Sequence, residues 1–235
     1  MRLLQWNIWY KENPKNILRA LQQIDADVIC LQELTTGTVL HDGLDVPKYL
    51  ADGLGFNYFY KEAQVEGSET LGNAIFSRFP FTKTDFVFIQ EFKEKPADYS
   101  DEGRVYVEVE TNGYTIGAIH MSYTHRFEMT PQKKRETDEL VSVIATKRSK
   151  YLLAGDFNAL PDSYTITEVG KRLKNAGPDF DQKTWTTKPF SYQGFTANTL
   201  DWRLDYVFMT PDIAVQGAKI VDTQYSDHLP ILIEF

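Results

Sequence analysis

The sequence predicts one mixed α/β, or α+β, domain, and three observations carry the prediction. The opening of the chain reads strand, helix, strand; the stretch 56–121 breaks into short β-rich runs; and 131–154 returns to a helix followed by an apolar strand. With 235 residues the chain is long enough for one large core, and it holds no linker, low-complexity segment or repeat period. A single domain over residues 1–235 is therefore expected.

Residues 3–9 read as a strand. Asn13-Pro14 reads as a helix start, because asparagine accepts from free N–H groups of the first turn and proline suits the first helical position. Ile17, Leu18, Leu21 and Ile24 recur at helical spacing and turn one face inward. The run 28–31 is too short for a helix and reads as a buried strand ending at Glu33. If the two strands are parallel neighbours, Asn7 and Glu33 share one sheet edge. A second helix is expected over 46–54, closed by Gly55. Strands follow at 56–60, 73–77, 84–89, 105–109 and 114–120, with Asn112-Gly113 as a hairpin turn. The segments 61–71 and 92–103 read as long, charged loops. Pro131 opens a helix to about residue 147, with Leu140, Val141 and Ile144 facing inward, and leads to a strand over 151–154. A helix near 164–173, an irregular Trp-rich segment and strands at 204–209, 214–221 and 231–235 complete the chain.

Composition narrows the class. A hydrophobic fraction of 42% and an aromatic fraction of 14% fit a well-packed globule. The single cysteine, Cys30, lies in an apolar run and is expected to pack as a small hydrophobe. No run approaches the roughly 20 apolar residues of a membrane helix, and the first residues lack a signal-peptide pattern, so a soluble cytoplasmic protein without an obligate protein partner is expected. A formal charge of −8 argues against non-specific wrapping of duplex nucleic acid. Between Arg126 and Lys150 basic residues outnumber acidic ones; the expected reading is a solvated helix face.

Against this apolar background stand short polar motifs: Trp6-Asn7-Ile8, Leu31-Gln32-Glu33, His120, Gly155-Asp156-Phe157-Asn158, Asp205, and Ser226-Asp227-His228. Each places an acid, amide or imidazole at the end of an apolar run. Buried carboxylates are costly unless paired, hydrogen-bonded or bound to a cation, so Glu33, Asp156, Asp205 and Asp227 imply positive charge among them. Oxygen donors with an amide such as Asn7, and neither a cysteine cluster nor a paired-histidine spacing, favour Mg²⁺, with Mn²⁺ as a substitute, over zinc. His228 follows Asp227, and a pairing with Asp205 would fix its tautomer and raise its basicity. Ser226 is expected to serve a turn hydrogen bond and not as a nucleophile.

Taken in order, these motifs resemble the endonuclease/exonuclease/phosphatase superfamily, with its deoxyribonuclease I-like fold, over essentially the whole chain. The segment Gly72-Asn73-Ala74-Ile75-Phe76-Ser77-Arg78-Phe79-Pro80 is similar to that family's third block. The resemblance implies a four-layer α-β-β-α sandwich of two mixed β-sheets flanked by helices, with the site at the strand ends. It implies Glu33 as metal ligand, with Asn7 and Asp227 near the metal or its waters. Asp156 would orient or deprotonate the attacking water, Asn158 would hold a phosphate oxygen, and His120 would donate to a phosphoryl oxygen. His228, supported by Asp205, would be general base or transition-state stabiliser; which of Asp156 and His228 takes the proton stays open. Asn73, Arg104 and Arg203 are expected at the substrate.

The implied activity is divalent-metal-dependent hydrolysis of a phosphodiester, on a nucleic-acid end or a small diester, by direct attack of water. Thr35 follows Leu34 after Glu33, unlike the Thr-Lys that abasic-site endonucleases of the superfamily place there, and His120 also departs from them. The Gly155–Ser163 segment looks more like small bacterial phosphodiesterase-type members. The alternatives are a phosphomonoesterase acting on sugar or inositol phosphates, and a non-catalytic binding module that retains the fold.

Overall fold

Alternation along the strands divides the core into three layers. In β1 (Arg2–Asn7), Leu3 joins a cluster between two sheets, while Leu4 and Trp6 join a second cluster under helices. The computed structural model describes residues 1–93 and 101–235 and repeats this division throughout. After β1 come α1 (Pro14–Ile24), β2 (Val28–Thr36), α2 (Val46–Leu54), β3 (Asn57–Glu66), β4 (Glu69–Ser77) and β5 (Phe81–Gln90). Then follow β6 (Arg104–Thr111), β7 (Tyr114–His120), α3 (Pro131–Ile144), β8 (Tyr151–Asp156), α4 (Tyr164–Gly170) and β9 (Lys174–Asn175). The chain closes with β10 (Phe190–Tyr192), β11 (Phe195–Ala197), β12 (Asp205–Met209), β13 (Gly217–Ile220) and β14 (Ile231–Glu234).

One six-stranded sheet has the order β13-β14-β1-β2-β4-β3 and the other β5-β6-β7-β8-β12-β9. Each contains one parallel pair, β1 with β2 and β7 with β8, bridged by α1 and α3 respectively. A parallel pair requires a crossover, and in both cases the crossover helix covers its own sheet. Ile17 and Leu21 of α1 pack with Leu50 of α2 against Trp6, Ile29 and Phe76. Leu140 and Ile144 of α3 pack with Ile166 of α4 against Ile119, Leu153 and Phe208. Between the sheets lie Leu3, Cys30, Ile75, Val107, Ala118, Ala154 and Val207. This is the four-layer α-β-β-α sandwich that the motifs imply.

Local signals act as their chemistry dictates. The Asn13 side chain accepts from the Lys15 N–H, and Gly55 closes α2 in the left-handed region at φ +69°. Asn112 and Gly113 both have positive φ, +49° and +78°, as the tight turn between β6 and β7 requires.

Several expectations are corrected. The segment 61–71 is not a loop: β3 runs on to Glu66 and β4 begins at Glu69, so charged residues stand on a long hairpin. Strand β2 does not end at Glu33 but continues to Thr36 after a register irregularity between Leu31 and Leu34. Helices α3 and α4 stop at Ile144 and Gly170, three residues early in each case, and the Trp-rich segment contains the β10–β11 hairpin. The charged part of α3 is not uniformly solvated, since Lys133 and Glu136 are each 1% exposed. Of the loop expected at 92–103, residues 94–100 lie outside the described residues. Among the described residues, no helix is long and apolar enough to cross a membrane.

Candidate active site

The side-chain parity that builds the inter-sheet core also delivers the polar residues. Along β7 the inter-sheet face reads Ile116, Ala118, His120; along β8 it reads Leu152, Ala154, Asp156; along antiparallel β12 it reads Met209, Val207, Asp205. On β1 the same face reads Leu3, Gln5, Asn7. On β7, β8 and β12 this face is apolar up to a polar residue at the strand end, and on β1 a buried polar residue, Gln5, already precedes Asn7. Register aligns the row, because His120 pairs with Asp156 across β7–β8 and Asp156 with Asp205 across β8–β12.

Gly155 makes that row possible. A Cβ at this position would stand 2.2 Å from the backbone oxygen of Ile119 and 2.6 Å from its Cγ2. We expect Gly155→Ala to cost about 2–4 kcal/mol, read as a lowered denaturant midpoint, since backbone cannot yield as a flexible side chain can. A loss below about 0.5 kcal/mol would show that the strands are not this close.

Two hydrogen bonds join the sheets at the site. Asn7 Nδ2 donates to Asp156 Oδ2 and to Glu33 Oε1, each at 3.0 Å, and Gln5 Nε2 lies 3.3 Å from Asp205 Oδ1. Glu33 sits in the β2 irregularity at φ +61°, and its other oxygen accepts from the Tyr10 N–H at 3.1 Å. Asn158 and Ser226 also have positive φ, +45° and +65°. Such conformations cost of order 1 kcal/mol each and collect at functional sites.

His228 is held from all sides. Its Nδ1 donates to Asp205 Oδ2 at 2.8 Å, its Nε2 lies 3.5 Å from Asp156 Oδ2, and its backbone N–H donates to Ser226 Oγ at 3.0 Å. That last bond is the turn role expected of Ser226, and its Oγ also donates to the Asn7 carbonyl, tying the turn to β1. His120 Nε2 is 3.5 Å from the same Asp156 oxygen and 3.3 Å from Asn158 Nδ2. The Asn158 amide also donates to the Met121 carbonyl at 3.0 Å.

Electrostatics separates the two imidazoles. Burial opposes protonation of His228, but the carboxylates of Asp205, Asp156 and Asp227 outweigh it and raise its pKa well above the usual range. Burial, with the positive charges of Arg104, His228 and Lys133, keeps His120 well below that range and neutral. Burial and the Asp227 charge push Glu33 up to about 7, against the lowering effect of Asn7 and Tyr10. Burial likewise raises Asp156 to about 6, countered by His228.

A cleft of about 350 Å³ opens over these groups and is lined by Glu33, Arg104, His120, Asp156, Asn158, Asp227 and His228. Asn7 and Asp205 stand behind it, buried, and reach it through Glu33, Asp156 and His228. Two expected substrate contacts are elsewhere. The Asn73 amide donates to the Val105 carbonyl at 2.7 Å and ties β4 to β6. The Arg203 guanidinium donates to the carbonyls of Pro178, Asp179, Gln182 and Asp205 and lies outside the cleft lining. Arg104 does line the cleft, with Nε on Ser122 Oγ and Nη2 on Glu102. Of the aromatic side chains around it, Tyr123 and Trp185 line the cleft, Phe127 and Trp202 join the cluster packed with Trp185, and Tyr225 packs against the cluster under α1 and α2.

Sequence reasoning missed Gln5 and Thr184. The Thr184 hydroxyl accepts from the Leu204 and Asp205 N–H groups, and Gln5 exchanges hydrogen bonds with Gln32 while reaching Asp205. Gln5 left a signal, a polar residue at the same strand parity as Asn7. Thr184 left none, since it lies in irregular chain.

The donor set fits a hard divalent cation. Asp227 Oδ1 is a buried oxygen without a hydrogen-bond partner among the described residues, while its Oδ2 accepts from Trp185 Nε1 at 3.2 Å. With Glu33 close by and held above its usual pKa, these oxygens gain from a positive ion.

The sequence profile of the Endonuclease/Exonuclease/phosphatase family matches residues 4–228. No curated protein sequence matches the chain significantly. Among solved structures, an endonuclease/exonuclease/phosphatase family protein from Leptotrichia buccalis C-1013-b is 19% identical, with a TM-score of 0.71 over 100% of this chain and 98% of that one. The mannosyl-6-phosphatase of Bacteroides thetaiotaomicron VPI-5482 is 17% identical, with a TM-score of 0.70 over 100% and 98%. The human Nocturnin catalytic domain with bound sulfate is 18% identical, with a TM-score of 0.69 over 99% and 93%. At these identities the likeness is one of fold.

Proposed function

This chain belongs to the Endonuclease/Exonuclease/phosphatase family, whose members are generally phosphoesterase hydrolases, and from that premise we propose that it cleaves a small phosphate ester by direct attack of water. The observation that carries the reading is the in-register row His120, Asp156, Asp205 facing Asn7 and Glu33, with His228 held between Asp156 and Asp205.

Each residue has a task that its surroundings suit. Asp156, its Oδ1 held by the Asn158 N–H at 2.8 Å and its Oδ2 by Asn7, orients the attacking water and accepts its proton. Its value near 6 leaves it ionised at neutral pH yet basic enough for the transfer. His228, cationic through Asp205, stabilises the charge that grows on the phosphoryl oxygens. Neutral His120 and the Asn158 amide donate to non-bridging oxygens. Glu33 and Asp227, with Asn7 beside them, would hold Mg²⁺, with Mn²⁺ as a substitute. When bound, such an ion adds Lewis-acid charge to the phosphate.

The cleft walls favour a small substrate. Among the described residues, Glu66, Glu69 and Glu102 line it beside Lys11, Arg104 and the His228 imidazolium, and Arg104 is bonded to Glu102. A polyanionic strand gains little there, whereas hydroxyl or amine groups of a compact ester meet carboxylate acceptors. Tyr123, Trp185 and Phe190 add aromatic surface to the lining. A small phosphodiester is the first reading; a sugar phosphomonoester is the second, favoured by the same carboxylates.

Turnover of bis-p-nitrophenyl phosphate, sugar phosphates, single-stranded DNA and RNA, measured with Mg²⁺ or Mn²⁺ and after chelation, tests this. Small esters should be cleaved, with loss of at least about 100-fold on chelation. Preference for nucleic acid, weakening steeply with salt, would overturn the substrate class. No turnover of any ester would favour the binding module.

A further inference from the structure

The inner face of α3 changes character along its length. Its C-terminal half buries Leu140 and Ile144, but one turn nearer the cleft it buries Lys133 and Glu136, each 1% exposed. Lys133 Nζ donates to the Ser122 carbonyl at 2.6 Å and the Phe157 carbonyl at 2.7 Å. A carboxylate oxygen of Glu136 accepts from the Ser122 N–H at 3.1 Å. These partners lie just past the strand ends, Ser122 two residues after His120 and Phe157 between Asp156 and Asn158. The last backbone bond between these two strand ends runs from the Met121 N–H to the Asp156 carbonyl. Beyond it, the diverging carbonyls of Ser122 and Phe157 need another donor, and an ammonium with three N–H groups serves both.

We infer that Lys133 and Glu136 clamp the ends of β7 and β8 and so position His120 and Asn158 for the reaction. The inference rests on the proposed hydrolysis, since positioning is defined by it. Attaching α3 to the sheet does not require these residues. Burying an ammonium is expensive, and an apolar side chain of similar volume usually stabilises as well or better, as the other half of α3 illustrates. What an apolar residue lacks is the ability to hold two carbonyls on two strands at once. Asn158 links the same two ends by donating to the Met121 carbonyl, so a shift of either strand end displaces it from His120. Lys133 and Glu136 are positioning residues, acting through the backbone and not on substrate.

The test compares Lys133→Met with the wild-type chain on the ester turned over best, with Lys134→Met, an exposed neighbour on the same helix, as control. Lys133→Met should lower kcat about 10–100-fold with KM within about threefold, because misplacement by about 1 Å costs rate more than binding. Amide exchange at Met121, Ser122 and Asn158 should quicken at least about tenfold while amides of β1 keep their protection. A folded Lys133→Met protein with kcat within threefold of wild type overturns the positioning role, even if exchange quickens. Unchanged exchange at those amides overturns the clamp itself. If wild type cleaves no ester, the hydrolysis reading fails, while the exchange measurement still decides the clamp. Should Lys133→Met not fold, Lys133→Leu, which likewise offers no donor to the two carbonyls, carries the same comparison.

Discussion

Replacing His228 with alanine is expected to reduce kcat/KM by about 10³-fold, or about 4 kcal/mol. The ring is enclosed by Asp205 at 2.8 Å and Asp156 at 3.5 Å, and it is the cation that these two acids share in the absence of metal. Its loss leaves Asp156 and Asp205, paired in register on adjacent strands, without the cation that stands between them. Asp156 then holds its proton more tightly, so the residual activity should appear at higher pH than in wild type. Steady-state kinetics across pH 5–9 checks both expectations. Activity within tenfold of wild type, with an unmoved acid limb, would mean that the phosphoryl charge is met elsewhere.

Glu33→Gln should separate activity from stability with opposite signs. In the folded chain Glu33 is held at about 7, above the usual 4.5, by burial and by Asp227. The folded state therefore keeps a proton that the unfolded chain has lost, and this contribution to metal-free stability declines as pH rises from about 4.5 to about 7. At pH 8 the cost is fully developed. Glutamine removes the charge but spoils one of the two acceptor bonds to Asn7 and Tyr10, so a net gain of about 1–2 kcal/mol at pH 8 without cation is expected, vanishing below pH 4.5. Added Mg²⁺ should stabilise wild type, by binding the folded state alone, and leave Glu33→Gln nearly unmoved. Hydrolysis should fall by about 10²-fold or more. Melting curves with and without Mg²⁺ at pH 5 and 8 read all of this; equal Mg²⁺ stabilisation of both proteins removes Glu33 from the proposed metal site.

The legible and illegible parts of the site differ in the range of the forces behind them. Asn7, Glu33, His120, Asp156, Asn158, Asp227 and His228 announce themselves because each interrupts an apolar run at its end, and Asn13, Gly55 and Asn112-Gly113 because caps and turns are chosen by near neighbours. The β3–β4 hairpin was hidden by its polarity. At the sheet edge β3 exposes much of its surface, so Lys61, Glu62 and Glu66 carry no apolar alternation to mark a strand.

Arg104, Arg203 and Lys133 show where local reading stops. All three are cations in polar-looking stretches, yet Arg104 borders the cleft, Arg203 is consumed by four carbonyls, and Lys133 is buried between two strand ends. Hydrophobic period, caps and motif order reside in dihedral preferences and burial within a few residues, and they determine the layers and the strand ends on which polar groups stand. Which donor meets which acceptor depends on how the two sheets face one another. Gln5 and Asp205, 200 residues apart, touch only because the sandwich closes. Competition among buried groups for a limited set of hydrogen-bond partners is settled after packing, and only the assembled tertiary structure assigns it.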